Sequence, residues 1–288
     1  MKDIRGIILD VDGVIIGEKI GFNSPNPHID VINKLKEIRN KGIPISLCTA
    51  KPHFSIGNII KEAGLNNYHI ADGGSVIINP INNEIVKKHI INKEIAKEIL
   101  KMYINNNVYT EFYTVDNYFI QKDQESKITK QHIHILQNNP VMLDNIAEES
   151  MKYEITKIMP IAFDEQDQIR VEKLFEEMNT GLTLSWGIHP VANPLKFGII
   201  TSAGISKKQG AIEISNNINV PLENILAVGD STSDWQFIDL CGYGAAMGNA
   251  SEKLKELVKT KEKNHFYIGG DVDENGILQI FDYFKEQL

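Results

Sequence analysis

Short apolar runs that alternate with helical patterns are the feature that most constrains the fold of this 288-residue chain. Residues 6–9 and 43–48 read as strands that are buried on both faces, and residues 68–71 read as a third strand. Helical spacing of apolar residues occupies the intervals 31–42 and 54–63. This β-α-β-α-β order predicts an α/β fold, in which helices cover both faces of a parallel sheet.

The pattern changes in the middle of the chain and returns near the end. Between residues 81 and 186, closely spaced strands and only two helices predict an inserted α+β domain with an antiparallel sheet. The predicted strands there are 108–114, 118–121, 153–163 and 182–186, and the predicted helices are 93–105 and 168–178. After Lys196 the first pattern resumes, with a helix at 206–214, a buried strand at 225–229 and a helix at 251–258. The predicted core therefore comprises residues 1–80 and 187–288.

Charge and cysteine usage bear on partners and compartment. Thirty Lys and Arg against 38 Asp and Glu give a net charge of −8, which disfavours nucleic-acid binding as the main activity. Cys48 and Cys241 are far apart and show no metal-ligand spacing, as expected in a reducing compartment. No apolar run approaches the roughly 18–20 residues of a membrane span. We therefore expect a cytoplasmic protein, monomeric or weakly homo-oligomeric, with no membrane or nucleic-acid partner.

Two aspartates follow the first apolar strand. Asp10 and Asp12 stand two residues apart in the segment Asp10-Val11-Asp12-Gly13. Partly desolvated carboxylates in such proximity repel each other and lose hydration energy, unless one is protonated or a cation lies between them. A hard cation such as Mg²⁺, which prefers oxygen ligands, would stabilise both. The alternative is a pair of turn-forming or helix-capping aspartates.

A second strand ends in the same way. Asp230 follows Gly229 directly, and Asp234 comes four residues later. Ser231 or Ser233 could simply cap the next helix. However, residues at the carboxyl ends of neighbouring parallel strands converge where open α/β sheets bind ligands. The two acidic segments together favour a functional site at that edge of the sheet.

Two further segments could bind an anion. Ser206 and Gln209 have the spacing of a capping box, which places Lys207 and Lys208 in the first turn of a helix. Amide groups at a helix start attract phosphate, although both lysines could instead be solvated surface residues. Thr49, at the end of the second strand, could hold a phosphate oxygen, or it could have no function.

These motifs, in this order, resemble those of the haloacid dehalogenase superfamily of phosphohydrolases. Asp10-Val11-Asp12-Gly13-Val14 is similar to its first motif, Thr49 to the second, Lys208 to the third, and Gly229-Asp230 with Asp234 to the fourth. Lys208 is preferred to Lys207 because the segment Lys208-x-x-Ala211-Ile212 has the spacing usual in the family. The resemblance implies a Rossmann-like core.

The position of the insert, between Thr49 and Lys208, is similar to that of the Cof-like subgroup with a type IIB cap, a domain that selects the substrate. Three further segments resemble that subgroup: 70–75, 246–250 and 273–277. The chain departs from the subgroup at Lys51, where relatives usually carry Arg, at Ser233, where they carry Asn, and at Gln209, where Gly is common. None of these changes removes a carboxylate of the motifs.

The resemblance also implies roles for the residues. Asp10 would be the nucleophile that forms an aspartyl-phosphate, and Asp12 the general acid and base. Mg²⁺ would be held by Asp10, the backbone carbonyl of Asp12 and Asp230, with Asp234 orienting this shell. Thr49 and Lys208 would bind the phosphoryl oxygens of the substrate.

The expected activity is Mg²⁺-dependent hydrolysis of a small phosphorylated metabolite, such as a sugar phosphate. A phosphomutase and a non-catalytic binder of a phosphorylated ligand are the alternatives. On a strand, His132 and His134 would share one face, as zinc ligands could. No third ligand accompanies them, so solvent-facing histidines are favoured. Trp186 and His189, near the end of the insert, could line the substrate cleft or pack at a hinge.

Overall fold

The computed structural model describes residues 3–288. The strands are β1 (Gly6–Leu9), β2 (Ile45–Leu47), β3 (His69–Ala71), β4 (Val76–Asn79), β5 (Glu84–Lys88), β6 (Tyr109–Tyr113), β7 (Tyr118–Gln121), β8 (Val141–Leu143), β9 (Lys157–Ala162), β10 (Thr183–Gly187), β11 (Lys196–Thr201), β12 (Ile225–Gly229), β13 (Tyr243–Ala246) and β14 (Phe266–Ile268). The helices are α1 (Ile29–Asn40), α2 (His53–Ala63), α3 (Lys93–Asn105), α4 (Lys127–Leu136), α5 (Ile146–Ser150), α6 (Glu165–Glu177), α7 (Lys207–Ile218), α8 (Trp235–Ile238), α9 (Glu252–Val258) and α10 (Ile277–Tyr283). Among the described residues, no helix is long and apolar enough to span a membrane.

A parallel sheet forms the core domain, as the sequence predicts. Its strand order is β14-β13-β12-β1-β2, and β3 adjoins β2 through a bridge between Cys48 and Ile70. In the register of the two central strands, Leu9 of β1 lies beside Val228 of β12. The segments after both strands therefore leave the sheet side by side, and this brings the two acidic motifs together.

The inserted domain is built on a second sheet of six strands, in the order β10-β11-β9-β6-β7-β8. One face of this sheet packs with α3, α5 and α6 in a separate apolar cluster. The other face carries a cluster that includes Tyr113, Met159 and Phe197 and packs against Ala50 and Phe54 of the core domain. The insert thus covers the carboxyl end of the core sheet.

The observed limits of the insert differ from the predicted limits at 81 and 186. β11 pairs with both β10 and β9, so the cap sheet continues to Thr201. At the other end, residue 81 falls in the turn between β4 and β5, and this hairpin extends a small sheet that begins with β3. Spacing of apolar residues could not reveal these partners, because β11 is an apolar run like the core strands.

The segment that carries His132 and His134 is helix α4, so the shared strand face considered for the two histidines is not formed. Ser126 and Thr129 form a capping box at the start of this helix. The expectation of two solvent-facing histidines was wrong. His132 is buried, and its Nδ1 lies 2.8 Å from Glu111 Oε1, whereas His134 is half-buried and approaches Ser24.

Candidate active site

Asp10 and Asp12 lie directly beyond the carboxyl end of β1. The backbone N–H of Val11 donates to Asp10 Oδ1 at 2.7 Å, which fixes the orientation of this buried carboxyl group. Gly13 has a φ of +74°, and a Cβ at this position would come within 2.0 Å of Asp230 Oδ2. Glycine at this position therefore allows the first acidic loop to approach the second one closely.

Lys207, at the start of α7, links the two acidic loops. Its Nζ lies 2.6 Å from Asp10 Oδ2 and 2.6 Å from Asp234 Oδ1, in a buried environment. Burial alone would lower the pKa of Lys207, but Asp10 and Asp234 raise it above its ordinary value. Lys207 is therefore a cation held between two carboxylates.

The choice of Lys208 as the site lysine was wrong. Lys208 is exposed, because successive helix residues point about 100° apart and the first turn of α7 presents Lys207 to the site. The side chain of Ser206 makes no capping hydrogen bond, so the expected capping box with Gln209 is not formed either. The spacing of the motif tolerates a shift of one residue, and the sequence offered no independent reason to choose between the two lysines.

Asp234 is oriented by the loop that follows β12. Its Oδ2 accepts hydrogen bonds from the backbone N–H groups of Asp230 and Ser231, at 3.0 and 2.9 Å, and from Ser231 Oγ at 3.0 Å. Burial would raise the pKa of Asp234, but Lys207 and these hydrogen bonds lower it. Asp234 is therefore a fixed carboxylate that in turn holds Lys207 in place.

Three carboxyl groups form a cluster suited to a metal ion. Oxygen atoms of Asp10, Asp230 and Asp234 all lie within 4.8 Å of one another. Burial and the neighbouring carboxylates raise the pKa of Asp230 well above its ordinary value, and burial raises the pKa of Asp10 to about 7. A hard cation would relieve the repulsion between these carboxylates and stabilise their ionised form. The three carboxyl groups therefore fit a divalent metal that prefers oxygen ligands.

The side chain of Asp12 points to a different set of partners. Its Oδ1 lies 3.2 Å from Lys51 Nζ and 3.0 Å from His189 Nε2. His189 Nδ1 accepts from the backbone N–H of Val191 at 3.2 Å, so the proton of the neutral ring is on Nε2, the nitrogen that faces Asp12. Burial would raise the pKa of Asp12, but Lys51 and His189 lower it below its ordinary range.

Thr49 is buried at the end of β2, next to the acidic loops. Its Oγ1 accepts a hydrogen bond from the backbone N–H of Lys51 at 3.1 Å. A small cavity opens between this residue and the metal cluster, and it is lined by Asp10, Asp12, Thr49, Lys207, Asp230 and Ser231. The structure therefore brings together Thr49 and the four predicted aspartates, with Lys207 in the place of Lys208.

A second cavity lies between the inserted domain and the core, and shares Asp12 with the first cavity. Tyr113, His132, Met159 and Phe197 line it from the inserted domain, and Lys51 and His189 line it near Asp12. Trp186, the other residue considered for this role, lines a separate open cleft that reaches Asp230.

A buried ion pair next to these cavities was not anticipated. Lys157, on β9, lies 3.0 Å from Asp72, in the loop after β3, and both side chains are inaccessible to solvent. Lys157 Nζ also donates to the backbone carbonyl of Ala50 at 2.8 Å. The sequence contained one indication of this ion pair. A lysine in an otherwise apolar strand is buried with its neighbours, and a buried ammonium group needs a polar partner.

Comparisons with known proteins are consistent with this geometry. A family model described as haloacid dehalogenase-like hydrolase matches residues 7–281. Phosphatase YwpJ of Bacillus subtilis is 23% identical over 267 residues, which cover 87% of this chain and 92% of that protein. The 5-amino-6-(5-phospho-D-ribitylamino)uracil phosphatase YwtE of the same organism is 23% identical over 309 aligned positions, covering 99% of this chain and 98% of that protein. The solved structure of the subclass IIB sugar phosphatase BT4131 has a TM-score of 0.78 at 20% identity, and covers 98% of this chain and 99% of that chain.

Proposed function

The chain belongs to the haloacid dehalogenase-like hydrolases, and from that premise we propose that it is a phosphatase acting on a small phosphorylated metabolite through an aspartyl-phosphate on Asp10. The observation that carries this proposal is the convergence of Asp10, Lys207 and the carboxylates of the β12 loop in one buried cavity. Phosphoryl transfer through an enzyme carboxylate needs a nucleophile, a cation that binds the phosphoryl oxygens and a metal site, and this cavity has a candidate for each.

In the proposed first step, a carboxylate oxygen of Asp10 attacks phosphorus. The bond between phosphorus and the ester oxygen breaks, and Asp12 gives a proton to that oxygen. In the second step, Asp12 takes a proton from water, which attacks the phosphorus and releases inorganic phosphate and free Asp10. Lys207 and Thr49 would bind the phosphoryl oxygens that do not react.

The position of Asp12 suits both steps. It lies where the two cavities meet, so that a phosphate in the first cavity and a leaving group in the second would both contact it. Lys51 and His189 hold it as a carboxylate, the form that takes a proton from water. A bound phosphate dianion opposes this effect, because a like charge favours the protonated form that the first step requires.

We propose Mg²⁺ as the cofactor, held by Asp10, Asp230 and the backbone carbonyl of Asp12. When bound, the ion would reduce the repulsion between the attacking carboxylate and the phosphate. Asp234 would orient this shell through its hydrogen bonds to the loop that contains Asp230. The raised pKa values of Asp10 and Asp230, which persist despite the nearby ammonium group of Lys207, support this assignment.

We propose a sugar or sugar-alcohol phosphate as the substrate class. The second cavity adjoins Asp12, so the leaving group of a phosphate bound in the first cavity would lie there, next to both polar and apolar side chains. Two proteins that this chain resembles are named for such substrates, a sugar phosphatase and a phosphatase of a ribitylamino compound. The activity needs no macromolecular partner, and the cytoplasm remains the expected compartment.

A phosphate-release screen over small phosphorylated metabolites tests the proposal. With Mg²⁺ present, we expect release of inorganic phosphate from at least one sugar or sugar-alcohol phosphate, and loss of release with EDTA. Asp10→Asn should reduce the rate by at least about a thousandfold, since it removes the nucleophile. Equal release by wild type and Asp10→Asn would contradict the mechanism, and transfer to a second sugar hydroxyl without free phosphate would identify a mutase instead.

A further inference from the structure

A buried three-residue network lies beside the second cavity, outside the phosphate site. Glu111, on β6, is inaccessible to solvent and accepts a hydrogen bond from Tyr113 Oη at 2.5 Å. Its other oxygen lies 2.8 Å from Nδ1 of the buried His132, on α4. His132 and Tyr113 line the cavity, and Glu111 stands behind them.

The hydrogen-bond polarity of this network is determined by its central carboxylate. A carboxylate only accepts hydrogen bonds, so Tyr113 uses its single proton and His132 uses its Nδ1 proton to satisfy Glu111. In the neutral ring, His132 Nε2 then carries a lone pair, and the oxygen of Tyr113 has only lone pairs left to offer. The polar capacity that both residues retain is therefore that of an acceptor.

The wall of the second cavity around His132 and Tyr113 is otherwise apolar. Ile135, Met159, Phe197 and Ile199 line the same cavity, and the His132 ring packs at 5.3 Å from the Phe197 ring. Such surroundings strengthen a hydrogen bond that is formed and penalise a polar ligand group that finds no partner. The only other cationic or acidic groups lining this cavity, Asp12, Lys51, Lys157 and His189, are each already paired.

We propose that His132, whose Nδ1 faces Glu111 so that Nε2 of the neutral ring is left as an acceptor, selects a leaving group that presents a hydroxyl to this wall of the cavity. This inference rests on the proposed phosphatase function. It adds the two residues, His132 and Glu111, that would recognise the alcohol part of the substrate. His132 is the specificity-determining residue, and Glu111 is a positioning residue that acts through it. Leaving groups with no hydroxyl apart from the ester oxygen, such as p-nitrophenol, gain nothing from this pair.

The test compares kcat/KM for two probes: the best substrate among glycerol 3-phosphate, ribose 5-phosphate and ribitol 5-phosphate, and p-nitrophenyl phosphate. The ratio of the two values measures selectivity, and incomplete folding of a variant does not change it. His132→Phe keeps an aromatic ring against Phe197 but removes the acceptor. We expect it to lower the ratio roughly tenfold or more, mainly through KM for the hydroxylated probe.

Glu111→Gln provides a second, independent variant. An amide has one donor end and one acceptor end, so either His132 or Tyr113 must reverse its hydrogen-bond polarity. No atom that lines the cavity is removed, yet either reversal replaces one of the two acceptors on this wall by a donor, so the selectivity ratio should fall in the same direction. His134→Gln, on the same helix but outside the cavity lining, is the matched control and should keep the wild-type ratio.

Two outcomes would overturn the inference. If His132→Phe and Glu111→Gln both release phosphate with the wild-type ratio, the network has only a structural role, while the proposed phosphatase function stands. If the wild type releases phosphate neither from these probes nor from any other phosphate monoester, the proposed function fails, and the inference fails with it.

Discussion

Lys207 illustrates how one residue organises the candidate site. It forms short ion pairs with Asp10 and Asp234, and without it the two carboxylates and the nearby Asp230 would leave uncompensated negative charge in a buried cavity. The same ammonium group lines the cavity in which the proposed mechanism places the phosphate. Lys207 therefore offsets the charge of the acidic cluster, and under the proposed mechanism it would also attract the anionic substrate.

The two adjacent lysines provide a matched pair of substitutions. We expect Lys207→Met to lower kcat/KM for phosphate release by roughly 10²–10³, the loss typical when one group that stabilises transition-state charge is removed. Lys208→Met removes the same charge one residue later, on the exposed side of the helix, and should change kcat/KM by less than about twofold. Steady-state kinetics, with circular dichroism to verify folding, would measure both. A larger loss for Lys208→Met would contradict the assignment.

At the scale of secondary structure, His69 connects two strands of the core domain. It lies on β3, and its Nδ1 accepts the backbone N–H of Leu47, on β2, at 3.0 Å. Burial lowers the pKa of His69 from its ordinary 6.5 to about 3, so the folded protein keeps this ring neutral. The unfolded chain protonates it near its ordinary pKa.

This difference predicts a pH-dependent stability. The contribution of His69 is fully present above about pH 6.5 and is lost as the pH falls towards 3, by up to about 1.4 kcal/mol per pH unit. His69→Asn, in which an amide oxygen can accept the Leu47 N–H, should have a shallower decline of unfolding free energy between pH 6 and 4. Urea unfolding at several pH values measures this decline. Equal slopes for both proteins in this range would contradict the account.

The order of elements was predictable from the sequence, because local patterns specify it. Helix α3 and strands β7 and β12 have the bounds that apolar spacing predicts. The partners of strands were not predictable, since pairing depends on distant residues: β11 resembles a core strand in its sequence but pairs with β9. Helix α4 was missed altogether, because its buried polar residues, His132 and Thr129, blur the apolar face.

The candidate site likewise has residues that a local pattern predicts and residues that depend on contacts between distant parts of the chain. The four aspartates were predictable because carboxylates after buried strands are costly unless they have a function. The residues that contact each other between the two domains could be predicted from the sequence only in part. Lys51 and His189 were noted without the contact to Asp12 that joins them, and the network of Glu111 and His132 depends on a pairing between β6 and α4 that no local pattern encodes.

At the scale of the whole molecule, the ion pair between Lys157 and Asp72 connects the cap sheet to the core domain. Burial raises the pKa of Asp72 and lowers that of Lys157, so both ions lose hydration energy that their attraction must offset. Thr156 Oγ1 donates to the second oxygen of Asp72 at 3.2 Å. The pair fixes β9, and with it the wall of the second cavity, over the site.

Breaking this pair should reveal the cost of an unpaired buried ion. Lys157→Met should lower the free energy of unfolding by about 3–5 kcal/mol, because Asp72 is left without its cation. Adding Asp72→Asn should recover part of that loss, since neither charge is then buried alone. Urea unfolding of the single and double variants completes the cycle. Additive losses would show that the two residues do not interact in the folded protein.

The central claim, covalent transfer of phosphate to Asp10, can be measured directly. Acid quenching of the enzyme during turnover, followed by mass spectrometry of its peptides, should find one phosphoryl group on the peptide that contains Asp10. With p-nitrophenyl phosphate, whose leaving group needs no proton from Asp12, Asp12→Asn should increase the trapped fraction, because the base that activates water for the second step is missing. Phosphate release that continues in both proteins, while the Asp10 peptide never carries a phosphoryl group, would contradict the account.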